Sequence, residues 1–202
     1  LQLSNVSIGN SIIPQTTNNN AFGGINFGGQ LQAVSGSSTT TGVLRMDFDA
    51  AIGADSGATL NINGGINNTT TSGRALQFNT QGNGVINVNS NITAATSTPN
   101  QYFGVRKYGT GTLNFTTASS VIPTDTATGL QLFGGTTAFS GAGTLTGGNT
   151  IAMQVLPGAT LTLDNSTTQV NNRLGGRPIT LSAGNLNLIG PTASATTVTE
   201  TL

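Results

Sequence analysis

The chain has 202 residues, of which 6 are Lys or Arg and 6 are Asp or Glu, so its formal net charge is zero. This charge content of 6% is far below the ~25% of an ordinary globular protein, and it gives the chain no electrostatic attraction to nucleic acid or to an anionic membrane. No run of residues approaches the ~18 apolar positions of a membrane-spanning helix. We therefore expect no nucleic-acid binding and no membrane insertion of this segment.

The chain contains no cysteine and begins with Leu1 rather than Met. The absence of cysteine fits export by a route in which disulfides would hinder passage. We interpret residues 1–202 as a single domain and as a fragment or mature segment of a longer exported protein.

An apolar alternation of period two recurs along the chain and predicts short strands with one buried face. Its members are Leu31/Ala33, Leu60/Ile62, Ile86/Val88, Leu113/Phe115, Thr137/Phe139, Leu161/Leu163 and Leu186/Leu188, and Leu1/Leu3 would add one more. Successive first members of the seven are 24 to 29 residues apart, and a glycine precedes each of the seven by two or three residues. A repeat of this length is typical of one turn of a solenoid.

Two further apolar positions recur within most repeats. A second alternation precedes the first, at Leu44/Met46/Phe48, Leu76/Phe78, Phe103/Val105, Leu130/Leu132, Ile151/Met153/Val155 and Ile179/Leu181. A weaker third position follows it, at Ile66, Ile92, Val121, Leu145, Val170 and Val198. Helical periodicity is hard to find. We therefore predict an all-β fold, a right-handed single-stranded parallel β-helix with roughly eight rungs and three short strands per rung.

The longest irregular stretches predict surface loops, because they are rich in Thr, Ser, Asn and Gly. They cover residues 14–21, 36–42, 69–73, 94–101 and 124–129. Loops of a solenoid are also the places where function is usually found.

The segment Lys107-Tyr-Gly-Thr-Gly-Thr-Leu-Asn-Phe115 has the sequence motif Lys-x-Gly-x-Gly-Thr-Leu-x-Phe. This motif resembles the autotransporter-associated β-strand repeat of bacterial passenger domains. Residues 172–188 and 158–163 look like further parts of that repeat. The resemblance implies a right-handed β-helix on a bacterial outer surface or released from it. It implies no particular activity, because the repeat serves as a scaffold in proteins of varied roles.

Three of the six acids, Asp47, Asp49 and Asp55, are close together in the sequence. A glycosidase needs two carboxylates separated by roughly 5 to 9.5 Å, and a lyase needs a base and cations, for which Arg45 and Arg74 are candidates. We favour a structural ion pair between Asp47 and Arg74 in successive rungs, with weak cation binding as a further alternative. We therefore assign no catalytic, cofactor-binding or metal-binding residue.

Asn61, Asn87, Asn114 and Asn187 share the place between the two apolar residues of the motif. Stacked amides can form a hydrogen-bonded ladder, although a plain polar surface or a glycan-binding face would use the same residues. Aromatic residues for sugar stacking are scarce. Tyr102 and Tyr108 flank a predicted strand, and we expect them to pack over a rung edge.

These patterns favour a structural or adhesive bacterial surface or extracellular protein, a stalk, fibre or sheath without catalytic activity or cofactors. The open strand edges of a solenoid predict self-association into filaments or sheets, and surface glycans or neighbouring cells are other potential partners. A carbohydrate-active β-helix, such as a polysaccharide lyase, hydrolase or depolymerase, is the alternative.

Overall fold

The computed structural model describes residues 1–14, 28–69, 74–94, 103–117, 120–121, 129–146, 152–192 and 197–201. Within these ranges the chain forms 21 strands and no helix. In chain order the strands are β1 (Gln2–Ser4), β2 (Ser7–Ile8), β3 (Leu31–Ser35), β4 (Ser37–Thr40), β5 (Leu44–Met46), β6 (Ala50–Ala54), β7 (Thr59–Ile62), β8 (Ile66–Asn68), β9 (Arg74–Thr80), β10 (Val85–Val88), β11 (Ile92–Ala94), β12 (Phe103–Tyr108), β13 (Thr112–Phe115), β14 (Ser120–Val121), β15 (Leu130–Leu132), β16 (Gly135–Phe139), β17 (Leu145–Thr146), β18 (Met153–Val155), β19 (Ala159–Asp164), β20 (Ile179–Leu181) and β21 (Asn185–Ile189). None of the described residues belongs to a helix long and apolar enough to cross a bilayer.

Neighbouring strands within each sheet are parallel and come from successive turns of the chain. Sheet A has the order β1-β3-β6-β9-β12-β15-β18-β20, and sheet B has the order β2-β4-β7-β10-β13-β16-β19-β21. Sheet C (β11-β8-β5) and sheet D (β14-β17) occupy a third side. The chain therefore coils as a parallel β-solenoid, which confirms the predicted fold class. Parallel pairing is compatible with either hand, so the right-handed coil stays a prediction of the crossover rule.

The solenoid has about five complete turns of three strands, fewer than the roughly eight predicted. Among the described residues a third strand forms in the turns that contribute β5, β8, β11, β14 and β17. In the first turn Ile12 makes a single bridge to Leu44. In the seventh turn the carbonyl of Arg173 takes the third place and accepts a hydrogen bond from the amide of Leu145 at 2.7 Å. Val170, predicted for that place, lies in the irregular segment before it.

Inward side chains of sheet B stack in columns because the pairing from β4 to β21 has no register shift. In one column the ring of Phe115 stacks on that of Phe139 with 4.8 Å between centroids. The same ring meets Phe78 of sheet A edge-on at 6.4 Å. Such ring pairs add about 0.5–1.5 kcal/mol each to the stabilisation from burial, so they tie the two sheets together at the middle of the solenoid.

The predicted register is wrong at the start of the chain. Leu31 and Ala33 belong to β3 in sheet A, whereas Ser38 and Thr40 of β4 fill the equivalent inward positions of sheet B. Both polar side chains are fully buried. The segment 36–42 is thus mainly a strand and not the predicted loop, because polar inward residues remove the apolar alternation that would identify it.

A second register error concerns Leu44 and Met46, which were predicted to form the strand preceding the Leu60 motif. They lie instead in β5 of sheet C, paired with β8. The preceding strand of sheet A is β6, whose five residues are all buried and therefore show no alternation. The other predicted loops, at 14–21, 69–73, 94–101 and 124–129, lie mostly outside the described residues.

Thr137 offers a test of the core columns. Its side chain lies inward between Leu113 and Leu161 and is buried, and its hydroxyl has no hydrogen-bond partner among the described residues. A buried unpaired hydroxyl costs about 1–3 kcal/mol, so Thr137→Val should raise the free energy of unfolding by about 1 kcal/mol. Urea denaturation measures this. The outward Thr136→Val is the control and should change stability by less than about 0.5 kcal/mol; a loss of stability in Thr137→Val alone would contradict the assigned column.

Candidate functional site

Asp47 lies in the bend between β5 and β6, where it is bound by one residue of its own turn and one of the next turn. Its carboxylate accepts hydrogen bonds from Arg45 Nη2 at 2.8 Å and Nε at 3.1 Å, and from Thr69 Oγ1 at 2.8 Å. The hydrogen bond from Arg45, and then that from Thr69, lower the pKa of Asp47. The predicted ion pair of Asp47 therefore has Arg45 as its partner; the side chain of Arg74 lies outside the described part of the structure.

The other two acids have partners of their own. Asp49 Oδ1 accepts the backbone N–H of Ala75 at 2.9 Å, and Asp55 Oδ1 accepts Gln32 Nε2 at 2.7 Å. Asp49 and Asp55 stand at opposite ends of β6, about 20 Å apart at the rise of an extended strand. That distance is far beyond the separation that a glycosidase uses. Each carboxylate instead links one turn of the solenoid to a neighbouring segment.

An amide ladder, which the sequence leaves open beside a plain polar surface, forms on the outer face of sheet B. Asn87 Nδ2 donates to Asn61 Oδ1 at 2.9 Å, and Asn114 Nδ2 donates to Asn87 Oδ1 at 2.8 Å. Asn187 does not join this ladder, because Ala138 and Thr162 occupy the two turns between it and Asn114.

A second ladder runs beside the first along the adjacent outward position. Asn89 Nδ2 donates to Asn63 Oδ1 at 2.9 Å, and Thr116 Oγ1 donates to Asn89 Oδ1 at 2.7 Å. The two ladders fix the orientation of consecutive side chains over three turns. They are a structural device, and they also hold amide and hydroxyl groups in a regular array at the surface.

Lys107, the only lysine of the chain, is fully buried in the core. It stands in the inward column of sheet A between Phe78 and Leu132. Its Nζ donates to the carbonyl oxygens of Tyr108 at 3.0 Å, Gly109 at 2.9 Å and Gly134 at 3.1 Å. Three carbonyl acceptors take up all three N–H groups of an ammonium. Burial away from water disfavours the charge, however, and lowers the pKa of Lys107 to about 8.

Arg173 is the second buried cation, and sequence reasoning missed its role as well. Its Nε donates to Asn165 Oδ1 at 2.9 Å, its Nη1 to the carbonyl of Gly143 at 2.8 Å, and its Nη2 to three further carbonyls at 2.7–2.9 Å. Burial lowers the pKa of Arg173, while the charges of Glu200 and Asp164 act in the opposite direction. The guanidinium thus closes the third side of the solenoid where sheet D ends.

A cavity of about 190 Å³ lies at the last turn, lined by apolar side chains such as Leu163 and Leu188 and by Glu200. Burial raises the pKa of Glu200, whose Oε1 accepts the backbone N–H of Arg173 at 3.1 Å. In the ranges that the structure describes, no three metal-ligating side chains come together.

Tyr108 packs over a rung edge, as the sequence predicts. Its ring stacks on that of Phe133 from the next turn, with 4.5 Å between centroids and 5° between planes. Tyr102 lies outside the described residues.

Comparison with known proteins identifies no relative: no family model, no curated protein and no solved structure matches the chain. The parallel solenoid is therefore described by its own pairing, and the likeness of residues 107–115 to the autotransporter-associated repeat has no family match behind it.

The amide ladder predicts different outcomes for the same substitution at two asparagines, one inside the ladder and one outside it. Asn87→Asp should lower the free energy of unfolding by about 1–2 kcal/mol, because a carboxylate cannot donate to Asn61 and faces its oxygen. Asn187→Asp, at an exposed position outside the ladder, should change it by less than about 0.5 kcal/mol. Urea denaturation at neutral pH compares them, and equal effects in both variants would contradict the ladder.

The buried Lys107 predicts a stability that rises with pH. Its pKa in the folded state is about 8 against an ordinary value of 10.5, so between these pH values the unfolded chain binds more protons than the folded one. The contribution of Lys107 to the free energy of unfolding should be constant below pH 8 and should increase towards pH 10.5, by at most about 3 kcal/mol.

Urea denaturation of the wild type and of Lys107→Met across this pH range isolates the lysine, because every other titrating group is common to both chains. The rise should be absent in Lys107→Met. The ¹³Cε signal of the single lysine should also titrate near pH 8. A signal that titrates near 10.5, or the same rise in both chains, would refute the assignment.

Proposed function

We propose that the protein is a non-catalytic structural solenoid, a stalk, fibre or sheath component of a bacterial surface or of the extracellular space. The observation that carries the proposal is the continuous apolar core shared by sheets A and B. It is reinforced by ladders on the outside and by buried cations clamped to carbonyls on the inside. These features stabilise an extended shape.

The resemblance of residues 107–115 to the autotransporter-associated repeat supports export to the bacterial surface. The Lys-x-Gly motif of residues 107–109 has a physical reason in this chain. Gly109 has φ +81°, and a Cβ there would collide with the carbonyl oxygen of Thr80, while Lys107 binds the carbonyl of the same glycine. Lys107 and Gly109 therefore form one structural unit, and a repeat that serves as a scaffold would need both residues. Protease treatment of intact cells that carry the protein tests surface exposure; protection from protease until the cells are broken would count against export.

The carbohydrate-active alternative has little support. Asp47, Asp49 and Asp55 are each engaged in hydrogen bonds within the fold, and two of them are separated by the length of β6. A cleavage assay on a panel of polysaccharides addresses this alternative directly, since loss of cleavage in Asp47→Ala would identify an enzyme.

Self-association is the partner interaction that the geometry supports best. In this structure β20 and β21 are the outermost strands of sheets A and B at one end, and β1 and β2 at the other. Leu181 and Leu188 occupy inward columns yet are 50% and 56% exposed. Leu1 extends the column of Leu181 at the opposite end and is 61% exposed. Apposition of the two ends of different copies would continue both the strand pairing and the core column, and such head-to-tail contacts generate filaments.

Replacement of one apolar end residue should prevent this assembly. Leu188→Lys places a charge in the column that the next copy would cover, so the variant should remain monomeric at concentrations where the wild type assembles. Asn187→Lys is the matched control, because it adds the same charge to the same strand on its outward side. Sedimentation velocity over a hundredfold concentration range, with electron microscopy of the largest species, makes the measurement. A wild type that is monomeric throughout, or control and variant that behave alike, would contradict the proposal.

A further inference from the structure

The outer face of sheet B is regular in two directions. Two files of outward side chains run along seven strands, from β4 to β21, with every pair in register. The first file is Ser37, Thr59, Val85, Thr112, Thr136, Thr160 and Asn185, and the second is Thr39, Asn61, Asn87, Asn114, Ala138, Thr162 and Asn187. Neighbouring turns are about 4.8 Å apart, and the two files are about 6.7 Å apart along each strand. Neither file contains a charged residue.

The side chains of this face are held in fixed positions. Threonine has few rotamers in a strand because it is branched at Cβ, and the amides from Asn61 to Asn114 are oriented by their ladder. The face therefore presents hydroxyl, methyl and amide groups that need little further ordering on binding, which lowers the entropic penalty of contact.

The turns that join sheet A to sheet B have one to four residues and lie entirely within the described residues. Three residues follow β4, β7 and β10 before the third side, and five follow β16, whereas eight residues, 165–172, follow β19 before Arg173. Residues 15–27, 70–73, 95–102, 122–128 and 147–151, which come in the sequence between the third side and sheet A, lie outside the described residues. The outer face of sheet B extends for about 30 Å along the solenoid axis, and of its two files only Thr162, which is 9% exposed, is buried.

We infer that this face binds a ligand that is itself regular in two directions, and that this ligand is ice. A soluble ligand would contact a few turns and would gain nothing from small uncharged side chains that repeat in register over seven strands. A carboxylate- or phosphate-bearing ligand would need cations, which both files lack. A face that binds a polysaccharide surface would present exposed aromatic rings, and the two files contain none. Hydroxyl, methyl and amide groups repeated every ~4.8 Å along the axis and every ~6.7 Å along the strands can instead order the water layer that joins a protein to a crystal.

Ice binding would involve only the outer face of sheet B, whether or not the solenoid is exported. Ice affinity is measured by slow growth of an ice hemisphere from a solution of the purified 202-residue chain, followed by the ratio of protein in ice to protein in liquid. Inhibition of ice recrystallisation in a sucrose suspension is the second measurement. The wild type should be enriched in the ice at least several-fold over a globular protein of similar size, and it should keep the crystals small.

Thr136→Tyr tests the face, because a large ring at the fifth of its seven strands protrudes from the row of small side chains while tyrosine remains favourable in a strand. Thr180→Tyr is the matched control: it makes the same change at an exposed, outward position of sheet A. Thr136→Tyr should need at least tenfold more protein for the same inhibition, and Thr180→Tyr should behave as the wild type. Equal melting temperatures of the three chains show that folding is unaffected.

Exclusion of the wild type from ice would overturn the inference, as would equal loss of activity in both variants. Pull-down on crystalline cellulose and chitin completes the design. Binding there that is lost in Thr136→Tyr alone, without enrichment in ice, would assign the face to a solid polysaccharide and would also refute ice as the ligand.

Discussion

The structure depends on one constraint: in parallel pairing without register shifts, each side chain faces the side chain at the same position one turn away, at about 4.8 Å. Like charges at that distance destabilise a sheet, which explains why a chain of 202 residues contains only twelve acids and bases. Amides and hydroxyls suit the same geometry because each can donate and accept. The chain from Asn61 through Asn87 to Asn114 uses this property directly.

The constraint also determines how cations enter the core. Lys107 and Arg173 bind backbone carbonyls at the corners, and no carboxylate contacts the Nζ of Lys107 among its described partners. Corner carbonyls are available because strand pairing stops there. They neutralise the desolvated cation only partly, so the pKa of Lys107 falls to about 8. A cation at such a corner links neighbouring turns of the solenoid, and its aliphatic stem fills part of the inward column.

The sequence predicts sheet B well wherever its inward positions are apolar, as from Leu60 to Leu188. It fails at Ser38 and Thr40, where buried polar groups interrupt the alternation, and in β6, where small residues are buried on both faces. Lys107 continues the alternation of Phe103 and Val105, so its inward position could have been predicted from period alone. The position of Arg173 could not have been predicted, because this residue lies in an irregular segment that is held by tertiary hydrogen bonds. Such a segment has no periodicity in its sequence.

A scaffold requires little of its outer surface beyond polarity. The outer position of sheet A has glutamine at Gln77, Gln131 and Gln154, with Arg106 after the first and Thr180 after the last, and Gln131 Nε2 donates to Gln154 Oε1 at 2.7 Å. Sheet B is more uniform than stability demands: its first file has threonine at Thr112, Thr136 and Thr160 in succession, although such outward substitutions usually change stability by less than about 0.5 kcal/mol. The contact with ice that we infer for the face of sheet B would account for this difference between two faces of one coil.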